Sequence, residues 1–292
     1  MEKVIATPGK TREILKKHNI RLNKRLGQNF LIDSNIIEII IDAAEIEGDE
    51  IIIEIGPGIG SLTQYVLNEL DLGKLIAVEK DNRFIQILNE LFQSKKLELI
   101  NDDVLNIEWK ELLSDYKSKD VKVIANLPYY ITTPVIMGLL ESEYNFSSLI
   151  FMVQKEVAER MAADPGSKKY GSLSIAVQYY TKPELVYEVP SSVFMPRPEV
   201  QSTIIKLEQY EKIPYNTLDK NFFFAIVKAI FQQRRKNIKN GLTKAAEINL
   251  PKNIVLNSLA ECNIDRRIRG EKLSIEKMVE LSNSLKRNLN SQ

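Results

Sequence analysis

Short apolar runs alternate with amphipathic stretches over the first two thirds of the chain. Glu50 to Ile55, Lys74 to Glu79, Leu97 to Ile100, Val121 to Ala125 and Ser148 to Val153 are runs rich in β-branched residues and read as strands. Between them, helical spacing marks Ser34 to Ala44, with Asp33 or Ser34 as its cap, Ser61 to Leu70, Asn82 to Phe92 and Glu108 to Leu113. It also marks Thr133 to Leu140, with Pro134 in the first turn, and Lys155 to Ala163. Strands and helices in this rhythm predict βαβ units around a parallel sheet. Leu173 to Tyr180 reads as another helix, followed by two strands at Glu184 to Glu188 and Gln201 to Glu208 that close the sheet edge. From Asn221 onward the pattern is helical, and Glu208 to Lys220, with Pro214, is the expected hinge. The expected fold is therefore α/β: a mostly parallel seven-stranded sheet in residues 1–212 and a small all-α domain in residues 213–292.

Composition narrows the function. The chain has 292 residues, 44% hydrophobic and 27% charged, which is ordinary for a soluble globular protein. No apolar run reaches the length of a membrane span, and the first residues carry no signal-peptide core. A single cysteine, Cys262, excludes an internal disulfide, fits a reducing cytoplasm and reads as a small buried filler. A single histidine, His18, reads as a surface residue, excludes His-rich metal sites and speaks against a Ser-His-Asp triad. The net charge is only +1, but it is unevenly spread. Lys10 to Arg25, including Lys24 and Arg25, opposes seven basic residues to Glu13 alone. Lys228 to Lys244, including Arg234, Arg235 and Lys236, has no acid, and Arg266, Arg267 and Arg269 form a third cluster. One such run is a solvated face; three on a near-neutral chain point towards an anionic polymer.

Chemistry collects at predicted strand ends. Glu54-Ile55-Gly56-Pro57-Gly58-Ile59-Gly60 follows the first strand and opens a helix, a place where glycines let backbone approach a ligand. A dinucleotide fingerprint wants its third glycine one place later, where Ser61 stands. The tight loop better suits a small polar tail, such as the methionine part of S-adenosylmethionine. Glu79 ends the second strand, where a carboxylate can accept both hydroxyls of a ribose. Asp103 follows the third, where a carboxylate can accept from an adenine amine. Each acid alone reads as a solvated loop residue; three strand ends in this order do not read as coincidence.

Asn126-Leu127-Pro128-Tyr129 ends the fourth strand. An exocyclic aromatic amine is a poor nucleophile because its lone pair is delocalised into the ring. Acceptors that hold its N–H bonds out of the ring plane localise that pair, and no general base is needed. The side-chain oxygen of Asn126 and a backbone carbonyl at Leu127 or Pro128 can do this, with Tyr129 stacking on the base. A base within a helix must be flipped out to reach such a pocket. Phe194, in a proline-stiffened loop, is the candidate for a second aromatic face; the alternative is core filler beside a turn.

These residues resemble the small-subunit ribosomal RNA adenine N6,N6-dimethyltransferases along essentially the whole chain. The resemblance is carried by L-G-Q-N-F-L at Leu26 to Leu31, E-I-G-P-G-I-G, N-L-P-Y, and Q-K-E-V-A-E-R at Gln154 to Arg160. Y-G-S-L-S at Tyr170 to Ser174, V-F-M-P-R-P-E-V-Q-S at Val193 to Ser202 and F-Q-Q-R-R-K at Phe231 to Lys236 complete it. It implies a Rossmann-like methyltransferase domain in which Asn29 and Leu31 join Gly56, Gly58, Glu79, Asp103 and Asn126 around S-adenosylmethionine. It implies RNA binding by the basic N-terminal segment and the C-terminal helices. The implied partner is 16S rRNA near its 3′ end, within the small ribosomal subunit, with two adjacent adenines as target and a role in subunit assembly. A monomer that needs no metal or membrane is expected. Tyr130 stands where many relatives have Asn, and a neutral change in packing behind the site is expected. The sister family acting on 23S rRNA tends to N-I-P-Y and lacks Q-K-E-V-A-E-R and Y-G-S-L-S. A binding protein that has kept the fold for assembly alone is the reading from another class.

Overall fold

Each apolar run of the sequence becomes a strand. The computed structural model describes residues 4–20, 29–142, 144–245 and 248–291. Its strands are β1 (Phe30–Leu31), β2 (Ile51–Ile55), β3 (Lys74–Val78), β4 (Leu97–Ile100), β5 (Val121–Asn126), β6 (Ser148–Gln154), β7 (Thr181–Val189), β8 (Phe194–Met195) and β9 (Ser202–Gln209). Seven of them form one sheet in the order β4-β3-β2-β5-β6-β9-β7. Strands β2 to β6 are parallel, and β9 runs antiparallel to β6. The mostly parallel, Rossmann-like architecture expected from the rhythm of the sequence is thus present.

The helices are α1 (Pro8–Lys17), α2 (Ser34–Ala44), α3 (Ser61–Glu69), α4 (Asn82–Leu91), α5 (Trp109–Leu112), α6 (Thr132–Glu141), α7 (Lys155–Met161), α8 (Ser172–Tyr180), α9 (Lys220–Gln232), α10 (Ile238–Thr243), α11 (Lys252–Glu261) and α12 (Ile275–Asn290). Asp33, not Ser34, caps α2, accepting from the Asn35 N–H. Every residue of β2 is buried, as both faces of a central parallel strand require.

Two features escaped the sequence reading. Helix α1 lies in the charged N-terminal stretch, where only Thr11, Ile14 and Leu15 turn inward. Ile14 and Leu15 join the apolar cluster of Phe84 and Ile87 on α4. The antiparallel pair β1–β8 joins Phe30 to Met195 and Leu31 to Phe194; two residues are too few to show a period of two.

The chain divides into two compact units, residues 1–158 with 182–211 and residues 159–181 with 212–292. The sequence reading left 159–181 in the first domain. Here it packs with the C-terminal helices, because the Tyr179 ring stacks on Tyr215 and Phe223 at 5.5 and 5.3 Å and the Tyr170 hydroxyl donates to the Leu273 carbonyl. In this second unit Cys262 is buried, as expected of a filler. Arg235 and Lys236 are exposed, whereas Arg234 is held by Glu271 at 2.8 Å. Lys24 and Arg25, the other two expected RNA contacts, lie outside the described residues.

The strand starts of the first unit hold an ion network. Lys122, inside apolar β5, places its ammonium 2.8 Å from Glu50 and also donates to the Glu45 carbonyl. Glu50 accepts the N–H groups of Glu47 and Gly48 as well. Burial opposes the charge of Glu50, but the bonds from Lys122 and those backbone donors outweigh it and hold the carboxyl at about 2, from an ordinary 4.5. A depressed carboxyl stabilises the fold above its unfolded value and ceases to do so as pH falls through its folded one. Glu50→Gln should therefore cost about 3 kcal/mol at pH 7, by leaving Lys122 underpaired. It should also flatten the loss of stability between pH 4.5 and 2. Urea denaturation across that range measures both effects.

Candidate functional site

The parallel ladder ends level. Ile55 of β2 pairs with Val78 of β3 and with Ala125 of β5, and Val78 pairs with Ile100 of β4. Gly56, Glu79 and Asn126 follow directly and Asp103 three residues after Ile100, so the four meet at one edge, the carboxyl end of an open parallel sheet. A cavity of about 410 Å³ lies there, within the usual size range for small-ligand sites. Asn29, Leu31, Gly56, Gly58, Glu79, Asp103 and Asn126 all line it.

The glycine loop is fastened from below. Gly58 has φ +58° and its N–H donates to Glu79 Oε2 at 3.2 Å, tying the loop to the end of β3. Gly60 caps α3 with φ +85°, and a Cβ there would meet the Phe92 ring at 2.4 Å. Ser61, the residue in the third-glycine position, opens α3 on the cavity wall, and its buried hydroxyl has no partner among the described residues.

Acid is concentrated inside. Glu54 is 1% exposed and accepts from the Thr63 hydroxyl at 2.7 Å. Burial pushes its carboxyl up to about 8 against the Thr63 bond, and the charge of Glu79 adds to the rise. Burial also raises Glu79, against the N–H groups of Asp81 and Gly58 that it accepts. Asp103 differs. Lys80 bonds its Oδ2 at 2.7 Å and the Leu105 N–H bonds its Oδ1, which holds it below the usual range. Burial thus favours the neutral form of both carboxyls, which can hydrogen-bond the polar groups of a ligand.

Asn126 is oriented by the segment before α2. Its Nδ2 donates to the Asn29 carbonyl at 3.0 Å. The amide nitrogen is thus occupied, and Oδ1 is the end left to accept from a ligand. Pro128 also lines the cavity, but its carbonyl already accepts from the Ile131 N–H and the Thr132 hydroxyl. Of the two backbone acceptors considered, the Leu127 carbonyl is the one not committed to α6.

A family model described as ribosomal RNA adenine dimethylase matches residues 19–287. The ribosomal RNA small subunit methyltransferase A of Halothermothrix orenii is 55% identical over 288 residues, 98% of this chain and 95% of that one.

The chain belongs to the ribosomal RNA adenine dimethylase family.

It is accordingly an enzyme of the methyltransferase class that its motifs implied. A solved dimethyladenosine transferase from Plasmodium falciparum has a TM-score of 0.76 at 26% identity, covering 89% of this chain and 98% of that one. The 23S rRNA methyltransferase ErmE shares the fold, with a TM-score of 0.66 at 22% identity, covering 88% of this chain and all of that one.

Within this family member, some expected groups stand away from the cavity. Leu127 is buried beneath it at 1% exposure. Tyr129 does not line it; its hydroxyl is hydrogen-bonded to Ser202 at 2.8 Å on β9. Phe194 is 4% exposed and lies in the main apolar cluster, paired with Leu31 across β1–β8. In this structure Phe194 therefore occupies the core-filler alternative and presents no face to the cavity. Tyr130 departs from expectation in the other direction. It is 59% exposed on the cavity lining, so it packs behind nothing. Phe30, Ser61, Lys80, Phe84 and Ile131 also line the cavity and went unread. Phe30 sits between the two expected residues Asn29 and Leu31, and Ser61 in the displaced-glycine position; both were findable signals.

Gly60→Ala meets a left-handed φ and an occupied space at once. It should destabilise the fold by roughly 2–4 kcal/mol, read as a fall in the urea midpoint at unchanged slope.

Proposed function

We propose that this protein transfers methyl groups from S-adenosylmethionine to N6 of two adjacent adenosines near the 3′ end of 16S rRNA, within the small ribosomal subunit. The product is N6,N6-dimethyladenosine, formed in the cytoplasm during subunit assembly. The observation that carries the chemistry is the Asn126 amide, held by Asn29 so that Oδ1 is offered to a donor beside the acid-lined cavity.

The residues fit the cofactor. Its amino-acid and ribose groups suit the orphaned Ser61 hydroxyl, the glycine loop and Glu79. S-adenosylmethionine supplies an electrophilic methyl group. The protein supplies orientation: Asn126 Oδ1 accepts one N–H bond of the target amine, a backbone carbonyl at Leu127 or Pro128 the other, and together they localise its lone pair. After the first transfer one N–H remains, so one acceptor still holds the amine for the second. The proton released at each transfer can leave to water. Tyr129, steadied by Ser202, is the proposed stacking partner for the flipped base. Arg234, Arg235 and Lys236, with Lys24 and Arg25, are proposed to hold RNA phosphates.

Labelled S-adenosylmethionine offered with unmethylated small subunits, large subunits and free rRNA tests the substrate. Dimethyladenosine in the small subunit alone is the expected result. Label in 23S rRNA would place the enzyme with the large-subunit group, and bound cofactor with no transfer to any particle would favour an assembly role alone. Asn126→Ala should lower kcat by about 10²–10³ while calorimetry finds cofactor affinity largely intact. Binding to small subunits should weaken steeply with salt, and Arg235→Ala should reduce the log–log slope by about 1.

A further inference from the structure

Two side chains at the cavity rim have no part in the chemistry described above. Tyr130 lines the cavity and is 59% exposed. Lys80 lines it too; its side chain is 73% exposed, and its ammonium lies 2.7 Å from Asp103 Oδ2. The Lys80 ammonium is held protonated chiefly by Asp103. Tyr130 lies just before α6, which packs against the turn that follows Asp103, so Tyr130, Lys80 and Asp103 stand at the same end of the cavity, where β3 and β4 finish. The other aromatic rings of the lining have no comparable freedom. Phe30 is 8% exposed and Phe84 2%, and they pack edge to face at 5.7 Å. Tyr129, the neighbour of Tyr130, is fixed to Ser202 and off the lining.

An aromatic ring left in water beside an apolar-walled cavity gains most from a flat apolar partner. The Lys80 stem can cover apolar surface while its ammonium stays on the carboxylate. Asp103 has lone pairs to spare for a second donor. Resting on the reading that this cavity takes S-adenosylmethionine, we infer that Tyr130 is a cofactor-binding residue, closing the adenosine end of the site opposite the apolar stem of Lys80. Its ring then grips the half of the ligand shared by substrate and product cofactor, and contributes nothing to RNA recognition. Base stacking on a single aromatic ring sets the expected scale, about 10-fold in affinity.

Titration calorimetry on wild type, Tyr130→Ala and Tyr130→Phe, with S-adenosylmethionine, S-adenosylhomocysteine and adenosine, tests this. Tyr130→Ala should weaken all three ligands by about 10-fold, and Tyr130→Phe, which keeps the ring, should bind like wild type. At saturating cofactor the KM for unmethylated small subunits should be the same in all three proteins. A raised KM with unchanged ligand affinity would move Tyr130 to the RNA side and overturn the inference. Unchanged affinity and unchanged KM would overturn it as well. If wild type binds none of the three ligands, the cavity assignment beneath it fails too, an outcome distinct from a loss confined to the variant.

Discussion

The site depends on one constraint, the level ending of four parallel strands. Because Ile55 faces Val78 on one side and Ala125 on the other, the next residue of each strand emerges at the same height. A slip of one residue in any of these pairings would turn that strand's side chains to the opposite face. Glu79 would then lose the Gly58 N–H, and Asn126 the Asn29 carbonyl. The two ends of the sheet divide the labour. The strand starts carry the Glu50–Lys122 and Glu45–Lys206 ion pairs, and the strand ends carry acceptors facing a cavity.

Charge is sorted in depth as well as along the sheet. Glu54 and Glu79 are enclosed, with carboxyls that burial drives towards the protonated form. Asp103, nearer the rim, is paired with Lys80 and keeps its charge. The paired acid at the rim can accept a further hydrogen bond without burying an isolated charge. In the second unit, Arg235 and Lys236 are exposed basic residues.

Much of this was legible along the chain. β-branched runs stopped by glycine, acid or asparagine marked β2, β3, β4 and β5 and the residues that follow them. Strict helical spacing marked α2 to its observed ends, Ser34–Ala44. What failed to show were elements whose signal is short or diluted by charge. Helix α1 turns only three side chains inward, and β1–β8 is two residues long. Phe30 and Phe84 of the cavity wall gave no signal of their own along the chain, because what brings them together is their edge-to-face contact across distant segments.

The sequence by itself determined the family, the alternation of strands and helices, and the seven residues that line the cavity from strand ends and the loop before α2. The alternation and the strand-end residues follow from local patterns, which backbone geometry converts directly into strand ends and helix starts; Asn29 and Leu31 came with the family resemblance. Only the tertiary structure decided which way each group faces. It turned Phe194 into the core and fastened Tyr129 to Ser202. It committed the Pro128 carbonyl to α6 and left Tyr130 on the rim. The physical reason is that orientation is set by partners distant in sequence: Leu31 for Phe194, Ser202 for Tyr129 and Asn29 for Asn126. No spacing along a single strand encodes such pairings.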